Sequence, residues 1–198
     1  MNESEWVTGA QSGSTSDFGH LVSLYQKKLY GFLTSLTADA VMADELTQQT
    51  FLKAWQALPR FRGDSTFQTW HFQIGLNTFR SWGRTQKIRR AREWALGALG
   101  NEDGEETRAP QDTLADPRPD GDPQRTAANN ALAKDLRRAV GQLPDQERAV
   151  FLLRHDQNMP LAQIAGCLEL AEGTVKAHLF HALTKVRRNL EGLWTVKK

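Results

Sequence analysis

Residues 160–188 read PLAQIAGCLELAEGTVKAHLFHALTKVRR. Pro160 suits the first turn of a helix, because its missing N–H is one that a helix start leaves unpaired anyway. Ile164 and Leu168 continue that short helix, and Glu169 to Glu172 reads as a brief turn. Val175, Leu179, Ala182, Leu183, Val186 and Leu190 then recur at helical spacing on a longer helix. A short helix, a tight turn and a longer helix with a polar, basic outer face is the plan of a helix-turn-helix, whose second helix enters a major groove. With Val175, Leu179, Ala182 and Leu183 turned inward, Lys176, Ala177, Phe180 and His181 face outward. Lys176 suits a phosphate or a guanine edge, and Ala177 and Phe180 suit thymine methyls. Lys185, Arg187 and Arg188 are expected to meet phosphates and to make binding salt-dependent. The plainer alternative is a helical hairpin with a solvated basic face.

Upstream, one helix is expected over 129–142, a break at Leu143-Pro144, and a second helix from Arg148 to His155. Before these, residues 97–128 change character. They are rich in Pro, Gly and Asp, carry eight acids against three bases, and show no apolar periodicity. This composition predicts a flexible linker. Extended at ~3.3 Å per residue, it reaches up to ~110 Å.

The first half is helical too. Phe18, Leu21, Val22, Tyr25, Leu29, Phe32, Leu33 and Leu36 form one apolar stripe. A second helix is expected from Val41 to Leu58, stopped by Pro59. Ser65 and Gln68 stand at capping-box spacing, so a third helix is expected to begin near Thr66. It passes Trp70, Ile74, Asn77 and Trp82 and ends in a basic run of Arg80, Arg84, Lys87, Arg89, Arg90 and Arg92. The fold class is therefore all-α. Two small helical domains are joined by a flexible acidic linker, and the C-terminal domain is a helix-turn-helix. The expected boundaries are a flexible tail over 1–15, a helical domain over 16–94, the linker over 95–128 and the helix-turn-helix domain over 129–198.

Bulk composition narrows the function classes. The net charge is only +2 over 198 residues, so the distribution of charge carries the information rather than its sum. The one cysteine, Cys167, allows no internal disulfide and fits a reducing compartment. The start MNESEWVTGAQSGSTSDF has neither the basic nor the apolar part of a signal peptide. No apolar run reaches the roughly 20 residues needed to cross a bilayer. A cytoplasmic protein without membrane insertion is expected. The five histidines form no Ser/His/Asp or carboxylate constellation, and there is no GxGxxG or GxxxxGK[ST] loop. No catalytic residues, metal or cofactor are expected. His178, His181 and Cys167 would make only an unusual three-ligand zinc set, and Cys167 reads better as a small apolar residue.

The stretch FRGDSTFQTW, residues 61–70, is denser in aromatics than a surface turn requires. Aromatics beside a basic helix suit single-stranded nucleic acid, since cations follow the backbone while rings stack bases at roughly 1–3 kcal/mol each. Extruding one base costs a few kcal/mol, which one good pocket offsets. Phe61 and the loop Arg62, Gly63, Asp64 and Ser65 are the expected walls. Trp70 is expected to be core, being at helical spacing with Ile74.

These residues carry a resemblance. ADELTQQTFLKAWQALPRFRGDSTFQTWHFQIGLN (43–77) resembles region 2 of the bacterial sigma-70 family, most closely its extracytoplasmic-function (ECF) group. LPDQERAVFLLRHDQNMPLAQIAGCLELAEGTVKAHLFHALTKVRRNL (143–190) resembles region 4. The resemblance covers about 16–94 and 129–192. It implies a transcription initiation factor that binds core RNA polymerase and recognises promoter DNA. By resemblance, Asp44, Glu45, Gln48, Gln49 and Trp55 meet the β′ coiled coil. Phe61 to Ser65, with Asn77 and the basic Arg80 and Arg84, hold the melted −10 element and its flipped base. Thr174, Lys176, Ala177, His178, Phe180, His181 and Lys185 belong to the helix that reads the −35 element, in a region that also meets the β flap. An anti-sigma factor is a further implied partner.

Some positions depart from that family pattern. Gln49 stands where an acid is common, so one polymerase ion pair is expected to be missing; His71 stands where an aliphatic is usual and Gln73 where arginine is frequent, which is expected to weaken −10 contacts. Glu169 takes a turn position often held by glycine, and His178 and His181 stand where arginines are frequent. Imidazole cannot make the bidentate guanine contact of arginine, so a different −35 sequence is expected. GTVKAHLFHALTKV also resembles the helix-turn-helix of LuxR-type regulators, which would bind duplex DNA without polymerase, but that leaves 43–77 unexplained. The linker's acid excess is expected to mimic nucleic acid inside the polymerase. Neutralising Asp112, Asp116, Asp120 and Asp122 together should then alter abortive synthesis and promoter escape, and unchanged product ladders would refute this.

Overall fold

A computed structural model describes residues 2–97 and 123–196, with side chains over 2–89 and 130–192. Among the described residues the chain is helical and contains no strand. Its order is α1 Glu3–Gln11, α2 Thr15–Thr37, α3 Ala40–Ala57, a 3-10 turn Leu58–Arg60, α4 Phe67–Gly97, α5 Pro123–Gly141, α6 Asp145–His155, α7 Leu161–Leu168 and α8 Glu172–Val196. Two compact units form, one from the first four helices and one from the last four.

The first unit corrects the expectation of a flexible tail. Asn2 caps α1: its side chain accepts from the Glu5 N–H, and the Glu5 carboxylate accepts from the Asn2 N–H, each at 3.0 Å. That reciprocal pair satisfies donors that a helix start leaves open. Ala10 is buried, and Trp6 stacks on His20 with ring centroids 5.0 Å apart. The Tyr25 hydroxyl donates to Glu3 at 2.9 Å. A few polar letters before an apolar stripe had masked a short helix held by long-range contacts.

Below α1, the core is made by Leu21, Tyr25, Leu29, Phe32 and Leu33 of α2, Leu46, Phe51 and Ala54 of α3, and Phe67, Phe72 and Leu76 of α4. Asp39 caps α3 by accepting from the N–H groups of Val41 and Met42 at 2.9 and 3.0 Å. The cap of α4 is Thr66 rather than Ser65. The Thr66 hydroxyl accepts from the Thr69 N–H at 3.2 Å, which puts the helix start one residue later than the letters Ser65 and Gln68 imply. Where α4 crosses its neighbours the approach is close. A Cβ added at Gly75 would come within 2.9 Å of the Leu29 Cδ1 methyl and 3.5 Å of Thr50, so any side chain there would have to displace Leu29.

The second unit packs α5, α6 and α7 around α8. Ala139, Val140, Leu143, Val150, Leu153, Ile164, Leu168, Val175, Ala182 and Val186 are buried. Leu183 departs from its expected inward position and is 45% exposed. At 100° per residue, Val175, Leu179, Ala182 and Val186 share an arc of about 60°, and Leu183 lies beyond its edge. The expected linker 95–128 is trimmed at both ends, by α4 to Gly97 and by α5 from Pro123. Its remaining residues, including Asp112, Asp116, Asp120 and Asp122, lie outside the described residues, as do the side chains of Arg90 and Arg92. Among the described residues no helix is long and apolar enough to cross a membrane.

One core residue has a consequence for acid stability. His71 is fully buried between Phe51 (4.6 Å), Phe67 (5.6 Å, near-parallel), Tyr25 (5.9 Å) and Phe72 (6.1 Å), and neither ring nitrogen has a hydrogen-bond partner. It fills the place expected of an aliphatic, inside the aromatic core. Burial lowers its pKa from 6.5 to about 3. Above pH 6.5 the ring is neutral in both folded and unfolded chains. Between those values only the unfolded chain binds the proton, so stability falls as pH falls, by at most about 1.4 kcal/mol per unit. His71→Leu should therefore lose less of its urea midpoint between pH 7 and pH 5 than the unsubstituted protein. Identical pH slopes would assign the acid sensitivity elsewhere.

Candidate nucleic-acid interfaces

Three surfaces, two in the first unit and one in the second, gather the residues singled out from sequence. In the first unit, Pro59 turns the chain out of α3, and Arg62 to Thr66 form an exposed loop before α4. Gly63 adopts φ +77, a backbone state that costs glycine nothing. Arg62 and Asp64 pair at 3.3 Å while both remain largely exposed. Such a pair is weak and exchanges readily for a phosphate partner.

The loop is anchored by rings. Phe67, buried at the start of α4, meets Phe61 edge-on at 6.4 Å, Trp70 at 5.7 Å and Tyr25 at 5.5 Å. Phe61 is half-buried and lies 4.9 Å from Trp70. Trp70 itself is half-buried rather than core, so it backs Phe61 instead of filling the interior. Beside Phe61 opens a cleft of about 400 Å³, lined among others by Glu3, Ser4, Gln11, Arg62, Ser65 and Phe67. That volume falls within the roughly 300–1,000 Å³ of small-ligand sites. One wall of the cleft is α1, in the stretch where composition predicts a flexible tail. The Gln11 side-chain amide donates to the Phe61 carbonyl at 2.6 Å and more loosely to that of Leu58 at 3.4 Å. The available signal was the Asn2–Glu5 capping spacing ahead of Trp6, Val7 and Ala10.

Asn77 is exposed on α4, with Arg80 half-buried and Arg84 exposed. At helical spacing, Trp70, Asn77, Arg80 and Arg84 lie on one face. Lys87 and Arg89 extend the cationic character of α4. The structure thus brings aromatic and cationic groups together on α4, with the loop at its N-terminal end.

On α3, Asp44, Glu45, Gln48 and Gln49 are all exposed. Gln48 donates to Asp44 at 2.8 Å and Gln49 to Glu45 at 3.1 Å. Val41 (80% exposed) and Leu52 (59%) stand among them, giving this face two apolar contacts within an acidic and amide frame. Trp55 lies at its edge, half-buried against Phe18 at 4.9 Å.

In the second unit, α7 ends at Glu169 in the left-handed conformation, φ 57 and ψ 43. A side chain there costs roughly 1 kcal/mol relative to glycine. The Leu170 N–H donates back to the Ala165 carbonyl, closing the turn before α8. On α8, Thr174, Lys176, Ala177, Phe180 and His181 are exposed and His178 is half-buried. Phe180 is 67% exposed, which presents a large ring to solvent. Lys176 pairs with Glu172 at 2.9 Å along the helix surface. Cys167 is buried in α7 while His181 is on the outer face of α8, and among the described residues no cluster of three or more ligands fits a metal ion.

Lys185, expected as a phosphate contact, is half-buried and has a partner within the unit. Its ammonium pairs at 2.7 Å with Glu147 of α6, a residue only 8% exposed. It therefore bolts α8 to α6, and Glu147 could not be recognised as its partner from a sequence separation of 38 residues.

Comparison with known proteins is consistent over nearly the whole chain. The family description Sigma-70 region 2 matches residues 21–89, and Sigma-70, region 4 matches residues 133–186. The RNA polymerase sigma-H factor of Pseudomonas aeruginosa is 28% identical over 191 residues, covering 96% of this chain and 95% of that protein. The ECF RNA polymerase sigma-E factor of Haemophilus influenzae is 26% identical over 193 residues, covering 98% and 97%. The fold is shared with CnrH, solved with the cytosolic domain of CnrY (TM-score 0.66, 24% identity, 94% of this chain and 96% of that one). It is also shared with RpoE of Bartonella quintana, solved with the anti-sigma factor NepR (TM-score 0.64, 22% identity, 89% and 98%).

The Lys185–Glu147 pair yields a test. Lys185→Ala leaves a largely buried carboxylate without its cation, so it should cost about 1–2 kcal/mol in urea unfolding of the intact chain. Lys176→Ala, at an exposed pair, should change stability by no more than about 0.5 kcal/mol. Equal effects would mean that Lys185 is not a structural bolt.

Proposed function

The chain belongs to the ECF group of the sigma-70 family and is an RNA polymerase sigma factor, and from that premise we propose how its residues divide the work of promoter recognition. The observation that carries the reading is half-buried Phe61, backed by Trp70, on a loop beside a cleft of about 400 Å³. One base of the melted −10 element leaves the stack and enters that cleft between Phe61 and the loop Arg62, Gly63, Asp64 and Ser65. Ring stacking and desolvation offset the few kcal/mol needed to extrude it. Asn77, Arg80 and Arg84 follow the displaced strand along α4, with guanidinium groups on its phosphates.

The helix α8 enters the major groove of the −35 element. Thr174, Lys176, Ala177, His178, Phe180 and His181 form its reading face. Phe180 and Ala177 suit thymine methyls, and the two imidazoles make single rather than bidentate contacts. Lys185 serves this function indirectly, by fixing the angle of α8 on α6.

Core RNA polymerase is bound through α3. Asp44, Glu45, Gln48, Gln49 and the edge of Trp55 meet the β′ coiled coil, with Val41 and Leu52 as apolar contacts. The β flap is met by the second unit. An anti-sigma factor is a further partner, a reading supported by the structural relative RpoE of Bartonella quintana, solved with the anti-sigma factor NepR. The protein works in the cytoplasm. It contributes recognition and strand opening, while the polymerase supplies the chemistry, so it is not itself an enzyme.

Purified protein with bacterial core polymerase and a promoter library, probed with permanganate at fixed salt, tests this reading. Strand opening should require both components. Phe61→Ala should reduce opening about tenfold, in line with the loss of one stack, and Asn77→Ala should also reduce it. Duplex binding without polymerase, and no opening with it, would move the protein to the LuxR-type class instead.

A further inference from the structure

The cleft beside Phe61 has a wall that the loop does not provide. Helix α1 places Glu3, Ser4, Val7, Thr8 and Gln11 along it. Gln11 ties this wall to the loop through the Phe61 carbonyl, so the two sides are held in register. Glu3 is half-buried, and one carboxylate oxygen, Oε2, accepts from the Tyr25 hydroxyl at 2.9 Å. Burial and this neighbouring carboxylate push the Tyr25 phenol upward, which keeps it a donor. That hydrogen bond fixes the carboxylate on the cleft wall and still leaves lone pairs for a second donor.

We infer that α1 forms the selective wall of the base pocket, and that Glu3 selects an extruded base carrying an exocyclic amino group over thymine. The chemistry follows from the acceptor. An ionised carboxylate accepts hydrogen bonds and donates none. Cytosine N4 and adenine N6 are donors at their base edge, whereas thymine presents the O4 acceptor there, and carboxylates are known acceptors of such amino groups. Placing a thymine O4 against Glu3 sets two acceptors face to face, so thymine forfeits the hydrogen bond that an amino group would make there. Phe61 and Phe67 give stacking surface to any base and so do not discriminate. This rests on the base-pocket reading proposed above and adds to it the residue that chooses.

The test is a competition among promoters randomised across the −10 element, opened by the full chain with core polymerase and scored by sequencing barcoded run-off transcripts. Each readout is a ratio between promoters in one tube, so a general loss of activity cancels. The unsubstituted protein should disfavour thymine at one non-template position. Glu3→Gln, whose amide both donates and accepts, should relax that bias about tenfold at that position alone. Tyr25→Phe, which frees the carboxylate without altering it, should relax the same position by a smaller factor. An unchanged bias in Glu3→Gln, a thymine preference in the unsubstituted protein, or changes spread over all positions would overturn the inference. Phe61→Ala in the same pool separates the two readings. If it abolishes opening while Glu3→Gln keeps the bias, only the role of α1 fails. If Phe61→Ala has no effect, the pocket reading itself fails.

Discussion

The ring of Phe67 is the contact on which the first unit depends. It is buried at the first residue of α4 and touches Tyr25, Phe61, Trp70 and His71 at 5.5–6.4 Å. Two of those partners belong to the core and two to the exposed loop side. One side chain thereby couples a packed interior, which tolerates little displacement, to a loop that must present Phe61 in one position. The cap of α4 at Thr66 lies immediately before it, so the helix start and the ring anchor fix the same few residues.

Around that anchor the unit is arranged to hold polar groups at measured places. Tyr25 reaches from the core to Glu3, and Gln11 reaches from α1 to the carbonyl of Phe61. Each links an element near the chain start to one roughly 20 or 50 residues later, and neither bond is a helix or turn bond. The second unit uses a comparable device in the Lys185–Glu147 pair between α8 and α6. In both units a polar contact between elements fixes the orientation of a surface that is otherwise supported by apolar packing. His71 shows the cost of departing from this rule: a polar ring in the same core with no partner leaves the unit sensitive to acid.

Much of the fold was legible because helices write their period into the chain. The stripe from Leu21 to Leu33, the stop at Pro59, the break at Leu143-Pro144 and the brief turn that begins at Glu169 all follow from spacing or from local backbone chemistry. Exposure of Asn77, Lys176, Phe180 and their neighbours follows from the same geometry, once the buried faces are known. The errors share a cause. Leu183 has the right residue type for a core but sits past the edge of the buried arc, and Trp70 likewise matches the period while staying half-buried against Phe61 and Phe67. Hydropathy does not state how wide the covering surface is.

What the sequence determined by itself was the helical class, the two-part organisation and the residue types available at each surface, because these depend on local periodicity and on motif spacing. Only the tertiary structure decided that residues 3–11 form a helix packed beside the Phe61 loop, that Glu3 and Gln11 line the same cleft, and that Lys185 is spent on Glu147. Those facts rest on pairings between residues 20 to 50 positions apart. A chain encodes them only through the full set of packing constraints, and no local pattern displays which of many distant polar groups will become the partner.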